Sequence, residues 1–262
     1  MMVQGDNMTD NNIIRSSSLN IRFDQGRHWR AKIGFVILAM EQTIEEDVFR
    51  LAPDGVGVHF SRVRMENAVS VDTLEAVGSE LAGAAALILP DEKLDVVCYA
   101  CTSGSLVLGE KKVTNELNKG APNAVATSLI TGVIHALEAF KTRRIVVGTP
   151  YIDEINKMEK EYLEDRGFDV LDIQGLNITN DADMVKVTPD FIKDFALSID
   201  RQDAEAIFIS CGALRSIDVV DKIEELVRKP VIVSNQAMIW ETLRLAGIKD
   251  TIDGYGSLLR NF

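Results

Sequence analysis

The sequence predicts an α/β protein of two similar lobes, each a parallel sheet flanked by helices, with the active site between them. Three observations carry this. Short β-branched and aliphatic runs alternate with longer amphipathic stretches from Lys32 onward. The short runs are apolar throughout rather than alternating, as in strands buried on both faces. The pattern also restarts midway: Cys101 lies 68 residues after Ile33, and Cys211 lies 66 residues after Ile145. Each cysteine ends an apolar run and precedes a small, turn-forming sequence, as expected of duplicated lobes.

Taken in order, residues 1–27 are polar, include Ser16-Ser17-Ser18, and read as a mobile N-terminal arm without the apolar stretch or cleavage site of a signal peptide. Strands are expected at 33–38, 56–63 and 94–100, and helices at 43–51, 70–89, 105–119 and 126–140. The second series has strands at 144–148, 168–174, 206–210 and 231–233, with helices at 152–166, 189–198, 217–227 and 236–246. The expected division is the arm, an N-terminal lobe of 28–142 plus 241–262, and a C-terminal lobe of 143–240.

Composition narrows the function. A chain of 262 residues, 46% hydrophobic and 26% charged, has the balance of an ordinary globular protein. Forty acidic against 28 basic residues give a net charge of −12, which disfavours nucleic acid as partner and leaves a small molecule as the expected ligand. The acidic surface does not choose between monomer and homo-oligomer. No run approaches the roughly 18 apolar residues of a membrane span. Three cysteines do not make a disulfide framework, so a cytoplasmic setting with free thiols is expected.

In open parallel sheets the ligand crevice lies beyond the carboxyl ends of the strands, which puts Cys101 and Cys211 at crevice mouths. If the lobes face each other, so do the thiols. A helix start stabilises a thiolate and also holds a substrate carboxylate, and Thr102 and Ser103 add hydroxyl donors. Two thiols on opposite faces of an acidic carbon can racemise it without a cofactor, backbone N–H groups after each cysteine bracing the developing oxyanion. Alternatively, Cys101 adds to an activated double bond, allows rotation and leaves, which is cis-trans isomerisation.

Other signals are weaker. Cys98 sits mid-strand and reads as core; Cys98-Tyr99-Ala100-Cys101 matches C-x-x-C without the second pair a zinc site needs. His28, His59 and His135 show no pairing with one another or with a cysteine. No Walker A or G-x-G-x-x-G sequence follows a strand. Tyr151, after a strand end, is placed to reach a ligand, and Glu41 and Gln42 hold the matching position in the other lobe.

Cys101-Thr102-Ser103, the run Gly148-Thr149-Pro150-Tyr151-Ile152-Asp153-Glu154-Ile155-Asn156, and Ser210-Cys211-Gly212-Ala213-Leu214 resemble the aspartate/glutamate racemase superfamily. Within it the chain is most similar to the branch of maleate cis-trans isomerase and arylmalonate decarboxylase, from about residue 32 to 247. The resemblance implies two flavodoxin-like lobes, a substrate between them, no cofactor and no metal. It also implies carboxylate binding by Thr102, Ser103, Tyr151, Gly212 and Ala213, with Asn180 matching a substrate-binding asparagine. Decarboxylases of the branch have glycine where this chain has Cys101, so a two-cysteine isomerase or racemase is favoured.

There is one departure. Maleate isomerases carry a Pro-Ser-Ser-Asn-Thr type of sequence after the first strand, where this chain has Met40-Glu41-Gln42-Thr43. Glu41 puts an acceptor where a second carboxylate would bind, so a substrate with an amine or amide at that end suits the site better. The Glu-Gln-Thr version resembles ectoine-utilisation proteins, which implies an amino-acid derivative of ectoine degradation as substrate. The rival readings are an arylmalonate-type decarboxylase and a non-catalytic two-lobed ligand-binding protein.

Overall fold

In the computed structural model, which describes residues 20–262, the chain forms two four-stranded parallel sheets of identical topology. The first contains β1 (Ala31–Leu38), β2 (Val56–Val63), β3 (Val96–Tyr99) and β4 (Val125–Ser128) in the order β2-β1-β3-β4. The second contains β5 (Arg144–Thr149), β6 (Asp169–Gly175), β7 (Ala206–Ile209) and β8 (Val231–Val233) in the order β6-β5-β7-β8. β1 pairs with β2 in register from Ala31 opposite Val56 to Leu38 opposite Val63. The central strands β3 and β7 are buried at every residue, as helices on both faces require.

The first lobe's helices are α1 (Ile44–Leu51), α2 (Val71–Val77), α3 (Leu81–Ala86), α4 (Thr102–Leu108), α5 (Glu110–Gly120) and α6 (Leu129–Ala139). The second series is α7 (Asp153–Asp165), α8 (Asp181–Met184), α9 (Pro189–Ile199), α10 (Val220–Val227), α11 (Ser234–Leu245) and α12 (Ser257–Asn261). Local chemistry sets several starts. Ser128 Oγ accepts the Thr131 N–H ahead of α6, and Thr188 Oγ1 accepts the Phe191 N–H ahead of α9, whose first residue is Pro189.

Several expected boundaries shift. The helix expected at 70–89 is two helices, α2 and α3. The one expected at 105–119 starts earlier and breaks at Gly109, whose φ of 78° is open to glycine and strained for other residues. The stretch 126–140 hides β4, a short strand running directly into α6, and α8 and α12 were not anticipated. Of the expected mobile arm, residues 1–19 lie outside the described residues, and 20–27 are exposed without helix or strand.

The two lobes share α11. Its residues from Ser234 to Leu243 are all buried; it packs along α6 and touches α1, β3 and β4 of the first lobe as well as β8 of its own. A lobe boundary between residues 240 and 241 falls inside this continuous helix, which is the seat of both lobes rather than the end of one. Among the described residues no helix is long and apolar enough to cross a membrane.

Candidate active site between the lobes

In each sheet the chain winds outward from the first strand to its edge and then returns to the other side, so β1/β3 and β5/β7 are the topological switch points where such sheets open a crevice. Glu41 follows β1, Cys101 follows β3, Tyr151 follows β5 and Cys211 follows β7. All four line one narrow cavity, of about 20 Å³, together with Thr102, Ser103, Gly212 and Ala213. Leu38, Met65, Val69 and Met184 supply apolar walls, and Asp181 a second carboxylate. Two thiols, one from each lobe, therefore face one space.

Cys101 caps the start of α4, and its Sγ accepts the Gly104 N–H at 3.3 Å, with Ser103 Oγ at 3.8 Å. The helix-start placement expected from the sequence is present, but it does not win. Burial pushes the thiol up to about 11, against the opposing pull of the Gly104 amide, Ser103 and Tyr99. Tyr99 was not among the expected site residues. Its buried hydroxyl has no oxygen or nitrogen partner and helps the Cys101 thiolate. It fits over the helix start because residue 104 is glycine: a Cβ there would stand 2.2 Å from the Tyr99 hydroxyl.

Cys211 is held in a backbone conformation that side chains rarely adopt, with φ of 96°. Its N–H is accepted by Ser234 Oγ at 2.9 Å, and its Sγ lies 3.8 Å from Met184 Sδ. Burial raises this thiol well above its ordinary range, the Asp181 charge adding to the effect, while Tyr151 and the Ala213 amide favour the thiolate. Burial thus disfavours the thiolate at both cysteines.

Tyr151 sits on a rigid turn. Its N–H donates to Thr149 Oγ1 at 3.1 Å, Thr149 Oγ1 donates to Asn156 Oδ1 at 2.5 Å, and Asn156 Nδ2 donates to the Tyr151 carbonyl at 3.3 Å. Behind it, Glu159 on α7 is fully buried with neither oxygen hydrogen-bonded. Burial raises its carboxyl to about 7, the Ser210 hydroxyl pulling the other way.

Glu41 is 5% exposed, and its Oε1 accepts the N–H groups of Gln42, Thr43 and Ile44 at 2.9, 2.6 and 3.1 Å. Burial raises its carboxyl, while these three amides and Arg62 lower it. Gln42 is exposed, turns its amide toward the Met40 carbonyl at 3.4 Å and does not line the cavity. Asn180 also stays outside: it is half-buried at the start of α8 and does not line the cavity, with Nδ2 toward Asp183 Oδ2 at 3.4 Å. The next residue, Asp181, takes the place in the wall, 5% exposed with Oδ2 buried and unpartnered. Burial and the Glu41 charge raise it to about 6.

The segments carrying Val69 and Asp181 meet across the lobes. Val69 N–H donates to the Thr179 carbonyl at 2.9 Å, Asp181 N–H donates to the Asn67 carbonyl at 3.2 Å, and Ala68 forms an antiparallel bridge with Asn180. Deeper in, Thr102 Oγ1 lies 3.1 Å from Ser234 Oγ, so its hydroxyl is already engaged. Asn235 Nδ2 reaches both Asp47 Oδ2 at 2.7 Å and the Gly212 carbonyl at 2.8 Å.

The histidines stand apart from the thiols. His28 and His59, expected to be unrelated, meet edge to face with ring centroids 5.0 Å apart, because β2 runs beside the segment entering β1. His135 Nδ1 lies 2.9 Å from Glu241 Oε1. Among the described residues no group of three or more His, Cys, Asp or Glu is placed to hold a metal ion, and all three cysteines are free.

Known proteins are similar to this chain in sequence and fold. A maleate isomerase of Pseudomonas putida is 25% identical over 243 residues, covering 87% of this chain and 96% of that protein. An arylmalonate decarboxylase of Bordetella bronchiseptica is 26% identical over 224 residues, covering 82% and 90%. A Nocardia farcinica maleate cis-trans isomerase, solved as a cysteine-to-serine mutant with a covalently bound succinylcysteine intermediate, matches with a TM-score of 0.80 at 24% identity, over 88% of this chain and 99% of that one. The family model described as arylmalonate decarboxylase matches residues 58–259, and the chain belongs to that family.

Proposed function

We propose that this protein is a cofactor-independent isomerase of a small carboxylic acid, acting as a racemase or cis-trans isomerase through Cys101 and Cys211. The observation that carries the reading is that the two thiols, from equivalent strand ends of the two lobes, line one cavity. In racemisation, one thiol first releases its proton to solvent and as thiolate takes the α-proton, and the other, as thiol, donates its proton to the opposite face. The carbon inverts and the two sulfurs exchange protonation states. In cis-trans isomerisation, the thiolate adds to the double bond, the single bond rotates, and elimination returns the thiolate.

The surroundings support either course. The Gly104 and Ala213 amides favour a thiolate at the adjacent cysteine. Ser103, Tyr151 and the Gly212-Ala213 segment line the space a carboxylate would enter. The substrate we favour is an amino-acid derivative of the kind released in ectoine degradation, on the strength of the Glu41-Gln42-Thr43 sequence and the placement of Glu41 in the wall.

The test is deuterium exchange in D2O followed by NMR, over maleate, aspartate, aryl- and alkylmalonates and ring-opened ectoine derivatives. Deuterium at one substrate's α-carbon with loss of optical activity, absent from Cys101→Ala and Cys211→Ala, is the expected result for racemisation. Conversion of maleate to fumarate without exchange supports addition chemistry. Carbon dioxide release from a malonate by Cys101→Ala, as in the decarboxylase relative, would overturn the two-thiol reading.

A further inference from the structure

Of the polar groups in the cavity wall, the two carboxyls are the least expected. A site that receives a carboxylate gains from donors and cations, yet Glu41 and Asp181 present acceptors, and among the described residues no lysine or arginine lines the cavity beside them. Their hydrogen bonding is also unequal. Glu41 has one oxygen committed to three backbone amides, which orient the carboxylate and hold it against burial. Asp181 has a buried oxygen with no partner at all, though the residue is 95% buried. A buried, unpartnered carboxylate oxygen costs free energy unless something arrives to satisfy it.

We propose that Glu41 and Asp181 form a cation subsite that selects a substrate bearing a free ammonium group as well as its carboxylate, and that rejects dicarboxylates. An ammonium brings three donors and one positive charge to acceptors on two different elements, the turn after β1 and the start of α8. A neutral amide would bring its own carbonyl to a wall already made of acceptors. A second carboxylate would set a third negative charge beside two, in a space of low polarity. The proposal rests on the isomerase reading for the identity of the site and deepens it by naming the substrate class.

The subsite also reaches the chemistry. The Asp181 charge raises both thiols, and the Glu41 charge adds to the effect at Cys211. An ammonium held by the pair offsets that charge, so the substrate that fits is also the one that eases thiolate formation.

The experiment is isothermal titration of the full chain with 4-aminobutanoate, 2,4-diaminobutanoate, glutarate and succinate, with Asp181→Asn and Glu41→Gln alongside. Wild type is expected to bind an ammonium acid at least about tenfold more tightly than the dicarboxylate of matching length, and Asp181→Asn to erase or reverse the preference. Equal or tighter binding of the dicarboxylates by wild type overturns the proposal. So does a preference unchanged in Asp181→Asn, or no binding of any ammonium acid at millimolar concentration. Cys101→Ala and Cys211→Ala separate the two claims: both should keep the ammonium preference and lose turnover. Turnover that depends on both cysteines but shows no ammonium preference sinks the subsite alone; an Asp181-dependent preference with turnover insensitive to both cysteines sinks the isomerase mechanism alone.

Discussion

Thr102 Oγ1 and Ser234 Oγ meet 3.1 Å apart, and the same Ser234 oxygen accepts the Cys211 N–H at 2.9 Å. One hydroxyl at the start of α11 therefore connects the residue after one thiol to the backbone of the other. Ser234→Ala should leave the buried Cys211 amide unpaired, at a cost of about 1–3 kcal/mol in urea unfolding. It should lower kcat more than it raises KM, because the Cys211 loop loses its anchor. Thr102→Val keeps the acceptor for Cys211 and should be milder on both counts.

Cys211 carries a φ of 96°. Glycine accepts that conformation without strain, whereas alanine does not. Cys211→Gly should therefore be more stable than Cys211→Ala by about 1 kcal/mol, although it removes more side chain. Both should be inactive in deuterium exchange. Equal urea midpoints would show that the backbone stores no strain there.

Glu159 is raised to about 7 by burial, from an ordinary value of 4.5. The folded protein keeps this proton up to about pH 7, while the unfolded chain releases it near 4.5. The group's contribution to stability is therefore fully present below about 4.5 and lost as pH rises through 7. Glu159→Gln should flatten stability between about pH 5 and 8, and at the upper end exceed wild type by up to about 3 kcal/mol. Asp47, also raised to about 7, and Asp181, raised to about 6, leave a residual slope in that variant. Urea unfolding at several pH values reads both effects.

The Cys101 thiol, pushed up to about 11, should react slowly with iodoacetamide. Against a free thiol its thiolate fraction near neutral pH is lower by roughly two orders of magnitude. Its labelling rate should climb with pH without a plateau near 8, followed by peptide mass mapping. Cys98, fully buried in β3, should remain unlabelled until the protein unfolds.

The duplicated α/β pattern was legible because buried parallel strands announce themselves as uninterrupted apolar runs, and Cys101 and Cys211 stood at their ends. β4 was not, since Val125–Ser128 passes without a turn into the apolar face of α6 and its period merges with the helix. Asp181 escaped by one position: Asn180 has the expected chemistry, but starting α8 turns its side chain to Asp183 and leaves its neighbour facing inward. Ser234 lies 23 residues beyond Cys211, and only the pairing of β7 with β8 brings them together. Tyr99 looks like one more apolar strand residue until the missing side chain at Gly104 makes room for its hydroxyl. The thiol environment was the hardest to read, because a helix start is a local feature and burial is not.

The seam between the lobes, where Asn67 and Val69 exchange backbone hydrogen bonds with Asp181 and Thr179, carries one wall of the cavity with it. Those backbone hydrogen bonds fix where the Asp181 carboxylate stands in the wall, so the first lobe sets the position of a charge that the second lobe supplies.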